Sequence, residues 1–465
     1  MIRELKVVNP YTQAELGRIP IEEWAEVDKK LAVAHNLFLK RDNWLPAYER
    51  VEILERVVAI MQNRVEELTK LSASEGGKPY QDSKVEINRA INGVKLAIAQ
   101  IGNLKGEQVP LGQTRSSVNR LAFTLREPIG AVVSVSAFNH PLNLIIHQTV
   151  PAIAVGAPVI VKPASTTPLS CRAFMEILEE AGLPSGWCQM VICDQETAER
   201  MVTDRRVNYF SFIGSGEVGW HLRSQLAPGT RCALEHGGVA PVIVAGDADL
   251  REMIPELIKG GFYHAGQVCV SVQKIFVNEM IVKEVAELLA ESAAKLKVGD
   301  PLDAATEVGP LILPAEVDRV EAWVNEAVEM GAELLCGGRR ISDVCYAPTV
   351  LLNPPAEAKV SKLEVFGPVV CVYSYQEREK VILLANSLPY AFQAAVYTQN
   401  LDIALDTVNR LNASAVMVND HTAFRVDWMP FGGRDASGIG VGGIPYSMQE
   451  MTREKLVVIK SKSIK

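Results

Sequence analysis

An α/β protein with two domains, each built on a parallel sheet, and a small extra β arm is predicted from three observations. At 465 residues the chain exceeds what one ordinary hydrophobic core holds. From residue 131, short apolar segments of strand length alternate with helical patterns, and a second such series runs from about Pro241 to Val418. Two further strand-like segments, residues 118–125 and Lys455–Ile459, stand outside both series; paired, they would make a protruding arm that meets another subunit.

The elements follow in order. Residues Met1 to Pro20 alternate charged and apolar side chains without a hydrophobic stretch, so no signal peptide is expected. Trp24, Val27, Leu31 and Ala34 recur at helical spacing. So do Leu54, Val57, Val58, Met61, Val65 and Leu68, a second helix punctuated by Gly76 and Gly77. A third helix is expected from about Pro79 to Ile101. Leu121, Phe123 and Leu125 then alternate with Arg120, Ala122 and Thr124 as in a strand. The first alternating series comprises Ala131–Ser136, Pro158–Lys162, a helix after Pro168, Trp187–Ile192, a short helix and Val207–Phe212. The longest apolar run, Thr149 to Val161, is too short for a membrane span and contains Pro151 and Pro158. Dense glycines between Pro430 and Gly443 read as a long ordered loop.

Composition excludes several functions. With 48% hydrophobic and 22% charged residues the chain is a compact globular type, not a disordered one. A net charge of −8 without any basic run excludes nucleic acid as a partner and favours solubility. Eight cysteines are scattered with no CxxC pair and no zinc-like His/Cys spacing, so no metal is expected. They fit a reducing cytoplasm, most of them buried as small hydrophobes and one or two chemically active.

Three motifs carry chemistry. Gly214-Ser215-Gly216-Glu217-Val218-Gly219 follows a predicted strand and opens a predicted helix, where glycines let backbone amides approach a pyrophosphate. The same string also occurs in strand-to-helix turns that bind nothing, and here it follows a late strand of its domain instead of the first. Cys269, preceded by Gly266-Gln267-Val268, is a candidate nucleophile if something activates it, and an inert thiol otherwise. Glu235, where a strand gives way to Gly237-Gly238, is either that activating acid or an exposed turn acid.

Seven motifs in one order add to this: Asn139-His140-Pro141-Leu142-Asn143, Val161-Lys162-Pro163-Ala164, Gly214-Ser215, Glu235-His236-Gly237-Gly238, Gly266-Gln267-Val268-Cys269, Glu364-Val365-Phe366-Gly367-Pro368 and Pro430-Phe431-Gly432-Gly433. Together they resemble the aldehyde dehydrogenase superfamily over almost the whole chain, including the 34-position separation of Glu235 and Cys269. The resemblance implies a Rossmann-type nucleotide-binding domain (1–114 and 132–237), an α/β catalytic domain (238–447) and an oligomerisation arm (115–131 and 448–465). It implies Cys269 as nucleophile, Glu235 as general base, and Asn139 as an oxyanion donor acting with the Cys269 backbone N–H. Lys162, Ser165, Gly214, Ser215, Glu364 and Phe366 are the implied contacts of NAD or NADP. A homodimer or homotetramer in the cytoplasm is implied too.

Departures from the family pattern refine these expectations. Ser165 stands where an acid is common, which removes a charge that would repel a 2′-phosphate, so NADP is expected to be tolerated. Phe138 replaces a common tryptophan, His236 a leucine, Val239 a lysine, and Gly440-Val441-Gly442 a Gly-Arg-Glu. His140 and Arg425 fall at positions resembling the substrate tunnel, where a hydrogen-bonding or cationic pair would suit an anionic tail. The alternative is that Arg425 pairs with Asp427 and His140 simply packs. Arg120 is a further basic candidate, although its strand position favours solvent. The expected reaction is NAD(P)-dependent oxidation of a small, anionic aldehyde to its carboxylate through a cysteine thioester. Phosphonoacetaldehyde is the first expected substrate, with lactaldehyde, sulfolactaldehyde or succinate semialdehyde as alternatives. The rivals are an acylating enzyme using coenzyme A, which Glu235 argues against, and a catalytically silent protein on this fold.

Overall fold

The computed structural model describes residues 3–464. The first domain carries a six-stranded sheet ordered Gly438–Ile439, Arg231–Glu235, Val207–Ile213, Ala131–Val135, Val159–Lys162 and Cys188–Met190. Its five long-range neighbours are parallel except the first pair, which is antiparallel. The expected strands therefore fall within a residue or two of their places.

Three of the opening helical patterns become four helices. Trp24–Leu39 buries Val27, Leu31, Ala34 and Phe38, one stripe at helical spacing. The second pattern divides at Arg64 into Ala47–Asn63 and Val65–Gly76, and Tyr80–Ile101 follows. The apolar period runs through the break because the Arg64 N–H still reaches the Ile60 and Met61 carbonyls. Two elements fall in the N-terminal stretch where charged and apolar residues alternate. Glu4–Val8 and Glu15–Pro20 pair as an antiparallel hairpin. The apolar run from residue 149 splits into the end of the helix Asn143–Val155 and the strand Val159–Lys162. Every residue of that helix is buried, so it has no polar face and no amphipathic period to read.

The second domain carries a seven-stranded sheet ordered Glu333–Cys336, Thr349–Leu352, Val369–Tyr375, Lys274–Asn278, Pro241–Val244, Gln393–Tyr397 and Ala415–Val418. Only the Glu333–Cys336 edge is antiparallel. The arm joins Gln108–Val109, Arg120–Pro128 and Thr452–Lys460, with Lys455 opposite Leu125. Leu125, Leu456, Val458 and Ile459 are exposed on it. No helix among the described residues is long and apolar enough to cross a membrane.

The structure moves two of the expected boundaries. Gly438–Ile439 joins the first sheet beside Arg231–Glu235, and the helix Ile444–Glu450 packs Ile444 and Met448 into the first domain's core. The chain thus leaves the second domain before residue 438, not at 447. The arm begins at Gln108, ahead of residue 115.

Candidate active site

A cavity of about 600 Å³ opens at the carboxyl ends of the first sheet's parallel strands, where open α/β sheets place ligands. Its first-domain wall includes Asn139, Gly214, Ser215 and Glu235. Facing them are Cys269, Glu364, Phe366 and Arg425 from the second domain. Phe138 and Phe366 meet edge to face across it, 5.9 Å between ring centres.

Each group is held by identifiable structure. Glu235 ends the strand Arg231–Glu235, so its side chain emerges at the carboxyl end of the sheet. Ser215 starts the helix Gly216–Ser224 without a side-chain cap, so the first amides of that helix are unspent beside the cavity. An uncapped helix N-terminus on a glycine turn fits a dinucleotide pyrophosphate. Cys269 follows three successive left-handed residues, His264 (φ 49°), Ala265 (φ 54°) and Gly266 (φ 70°). Only glycine fits the third, since a Cβ there would lie 2.1 Å from the Gly367 carbonyl oxygen. The two non-glycine residues cost about 1–2 kcal/mol each, strain of the kind that collects at functional sites.

Gln267 stabilises this stretch. Its side chain donates to the His264 and Pro310 carbonyls and accepts from the Ile312 N–H at 2.9 Å. Its own carbonyl accepts from Asn139 Nδ2 at 2.9 Å, which ties the oxyanion candidate to the nucleophile's segment and leaves the second amide hydrogen free to donate. Behind Asn139 lies an ion pair of Lys78 and Glu86, both fully buried. Lys78 Nζ donates to the Asn139 carbonyl at 3.2 Å, while Glu86 accepts from the Leu142 and Asn143 N–H groups at the start of the buried helix. Glu86→Gln leaves Lys78 buried without its ion-pair partner and is expected to lower unfolding free energy by about 3 kcal/mol. Denaturant titration checks this, and the double change to Lys78→Met/Glu86→Gln is expected to recover most of the loss.

Burial shifts both members of the Cys269–Glu235 pair upward. Burial pushes the Cys269 thiol well above its usual range, and the neighbouring Glu235 charge pushes it further, against the pull of Arg425. Burial also raises the Glu235 carboxyl, opposed by Arg425. A resting thiol beside a poorly solvated carboxylate is a pair between which a proton can pass. Burial raises Glu364 to about 8, although its Oε1 accepts from the Gly238 N–H at 3.3 Å.

Of the remaining sequence candidates, His140 and Arg425 reach the cavity. Burial holds the His140 imidazole well below its usual range, so it is a neutral hydrogen-bonding group, with Nε2 3.4 Å from the Tyr263 hydroxyl. Arg425 does not pair with Asp427. Its guanidinium lies 3.5 Å from the centre of the Phe431 ring, and Asp427 is taken by Arg89 and His147. Lys162 ends the adjacent strand, half-buried, and Ser165 sits exposed in the turn after it. Arg120 is a correction. It lies in the arm, its guanidinium donating to the Ser116 and Val118 carbonyls, and it does not line this cavity. Arg89 was missed: it lines the cavity from the middle of a helix, where its position carries no local signal.

Residues 2–457 match the family model described as the aldehyde dehydrogenase family. The chain belongs to that family. As an aldehyde dehydrogenase it is an oxidoreductase that uses NAD or NADP and acts on small aldehydes. It is 38% identical over 457 residues to a 3-sulfolactaldehyde dehydrogenase of Priestia aryabhattai, covering 98% of this chain and 95% of that one. A lactaldehyde dehydrogenase of Methanocaldococcus jannaschii is 36% identical over 461 residues, covering 98% and 97%. Among solved structures, the glyceraldehyde-3-phosphate dehydrogenase GapN of the same organism, complexed with NADP, superposes with a TM-score of 0.94 at 36% identity, covering 99% and 100%. The two-sheet architecture and the arm of this aldehyde dehydrogenase are thus those of its family.

Proposed function

We propose that this aldehyde dehydrogenase oxidises a three-carbon aldehyde with an anionic tail, of the sulfolactaldehyde type, to its carboxylate. One observation carries this reading. The Arg425 guanidinium lines the cavity with Cys269, stacked on Phe431, and has no hydrogen-bond or ion-pair partner among the described residues; its Nε is buried and unpaired. Glu235 acts on this cation only through space, so its hydrogen-bond donors stay unspent and can take an anion that enters the cavity. Arg89 supports the same reading, because its Nε and Nη2 grip Asp427 and leave Nη1 without a recorded partner. The relative named for sulfolactaldehyde favours a sulfonate tail over the phosphonate of phosphonoacetaldehyde.

The proposed chemistry uses three side chains. The deprotonated Cys269 sulfur adds to the aldehyde carbon, and the carbonyl electron pair moves to oxygen. The free Asn139 amide hydrogen and the Cys269 N–H meet that charge, each lowering the barrier by about 3 kcal/mol. The oxygen electron pair then re-forms the carbonyl as the former aldehyde hydrogen leaves with its bonding pair, leaving a thioester on Cys269. NAD(P), when bound, would supply the hydride acceptor. Glu235, returned to its carboxylate once the thiol proton has passed to solvent, then takes a proton from water as the water oxygen attacks the thioester, releasing the carboxylate and the cysteine sulfur. Lys162 and Ser165, with no acid in that turn, support acceptance of NADP beside NAD. The exposed apolar arm supports a homodimer or homotetramer, and eight unpaired cysteines fit the cytoplasm.

A panel of sulfolactaldehyde, phosphonoacetaldehyde, succinate semialdehyde and lactaldehyde, each with NAD and with NADP, tests the reading. Anionic aldehydes are expected to have the higher kcat/KM. Arg425→Met is expected to raise KM for sulfolactaldehyde ~100-fold while shifting that for lactaldehyde less than ~3-fold, the scale of a charged hydrogen bond. A wide margin for neutral aldehydes in the unmodified enzyme refutes the anion reading.

A further inference from the structure

His236 stands where the family commonly has leucine, and the chemistry above does not use it. It directly follows the catalytic base candidate Glu235 and is only 3% exposed. Its Nδ1 lies 2.9 Å from the Gly214 carbonyl oxygen, so Nδ1 carries the hydrogen and donates. The Gly214 N–H in turn donates to the Glu235 carbonyl at 3.1 Å. One peptide unit on each side of Gly214 is therefore tied to residues 235 and 236. The ring itself is wedged between Phe212 and Trp220, with centroids 5.7 Å from each. Its far edge rests on Gly219 of the helix that starts at Ser215, where a Cβ would come within 2.1 Å of Cε1. Trp220 Nε1 donates to the Ala436 carbonyl, and the His236 N–H donates to the Ser437 carbonyl at 3.0 Å, so the wedge is anchored from behind as well.

We propose that His236 is a positioning residue that fastens the dinucleotide-binding turn Gly214–Ser215 to the end of the neighbouring strand Arg231–Glu235, so that the turn is set before the cofactor binds. This rests on the reading of Gly214–Ser215 as the pyrophosphate turn. The physical reason is twofold. A carbonyl that accepts from His236 keeps its lone pairs engaged inside the protein instead of facing an anionic pyrophosphate. A turn fixed in advance loses less freedom when the dinucleotide arrives. A leucine of similar bulk fills the wedge without the bond. Nε2 is buried without a partner among the described residues, so the bond from Nδ1 is the ring's one polar contact there.

Titration calorimetry of the intact enzyme with NADP and NADPH, in the absence of aldehyde, tests this against His236→Leu and His236→Asn. Asparagine places an amide N–H where Nδ1 stands. His236→Leu is expected to weaken dinucleotide binding about tenfold, the loss of one hydrogen bond, and His236→Asn to restore most of it. Cofactor KM is expected to rise with the dissociation constant while kcat stays within ~2-fold, the pattern of lost uniform binding. The alkylation rate of Cys269 is expected to be unchanged. Dinucleotide binding by His236→Leu equal to the unmodified enzyme's overturns the proposal, as does His236→Asn as weak as His236→Leu at equal thermal stability. Should His236→Leu not fold, His236→Met offers a flexible non-donating side chain for the same comparison. Failure of the unmodified enzyme to bind either dinucleotide overturns the pyrophosphate reading itself, and the proposal with it.

Discussion

Cys269→Ser is expected to reduce kcat by ~10⁴-fold or more, the scale seen when a covalent nucleophile is lost. Serine keeps the size and hydrogen-bonding character of the side chain, so fold and dinucleotide affinity are expected to be retained. The cost is chemical, since a hydroxyl is far harder to ionise than a thiol in the same apolar surroundings. The neighbourhood of Cys269 also sets a pH dependence. Burial and the Glu235 charge both raise its thiol, so the protonated form dominates at neutral pH. Reaction through the thiolate then makes kcat/KM climb with pH over the neutral to alkaline range, with no acid-side maximum. Stopped-flow recording of nicotinamide reduction against pH, with Cys269→Ser as the blank, checks both statements. A serine variant that keeps substantial turnover would remove Cys269 from the mechanism.

Glu235→Gln is expected to split the reaction in two. Hydrolysis of the thioester loses its base, so steady-state turnover falls ~10³-fold, within the range for general-base catalysis. Acylation is affected in opposite ways. Glutamine cannot take the thiol proton, but it also lacks the charge that raises the Cys269 thiol, so the thiolate forms at lower pH than in the unmodified enzyme. A burst of about one reduced nicotinamide per site, followed by slow turnover, is the expected record. Mass spectrometry of the quenched enzyme should find the acyl group on Cys269. Loss of burst and turnover together would instead assign Glu235 to thiol activation alone, and unchanged turnover would exclude it from the reaction.

Several features of this site were legible in the chain because chemistry restricts residue type at each place. A thioester route needs a thiol, and a carboxylate at a strand end can serve as its base. A pyrophosphate turn must be glycine-rich. The structure brings Cys269, Glu235, Asn139, Gly214 and Ser215 to one cavity from four separate stretches. Arg425 shows where such reading stops. From sequence, pairing with Asp427 two positions away stays open as the alternative to a cavity-facing Arg425; in the structure Asp427 is turned to Arg89, 338 positions distant, and to His147, 280 positions distant. Arg425 is thereby left on the ring of Phe431. Likewise, Arg120 was a basic candidate on charge alone, and the register of the arm carried it away from the cavity.

The sequence by itself determined most of the sheet-forming segments and their parallel α/β class, since apolar periodicity is a local property, while the candidate reactive groups were named by resemblance to the family. Tertiary structure alone decided which charges were satisfied and which were left facing the cavity. It also decided that Asn143–Val155 is a helix buried on every side, that residues 438–450 return to the first domain, and that His236 clasps Gly214. The reason is that burial and pairing are set by whatever the fold brings alongside, across separations over which the chain's local pattern carries no information.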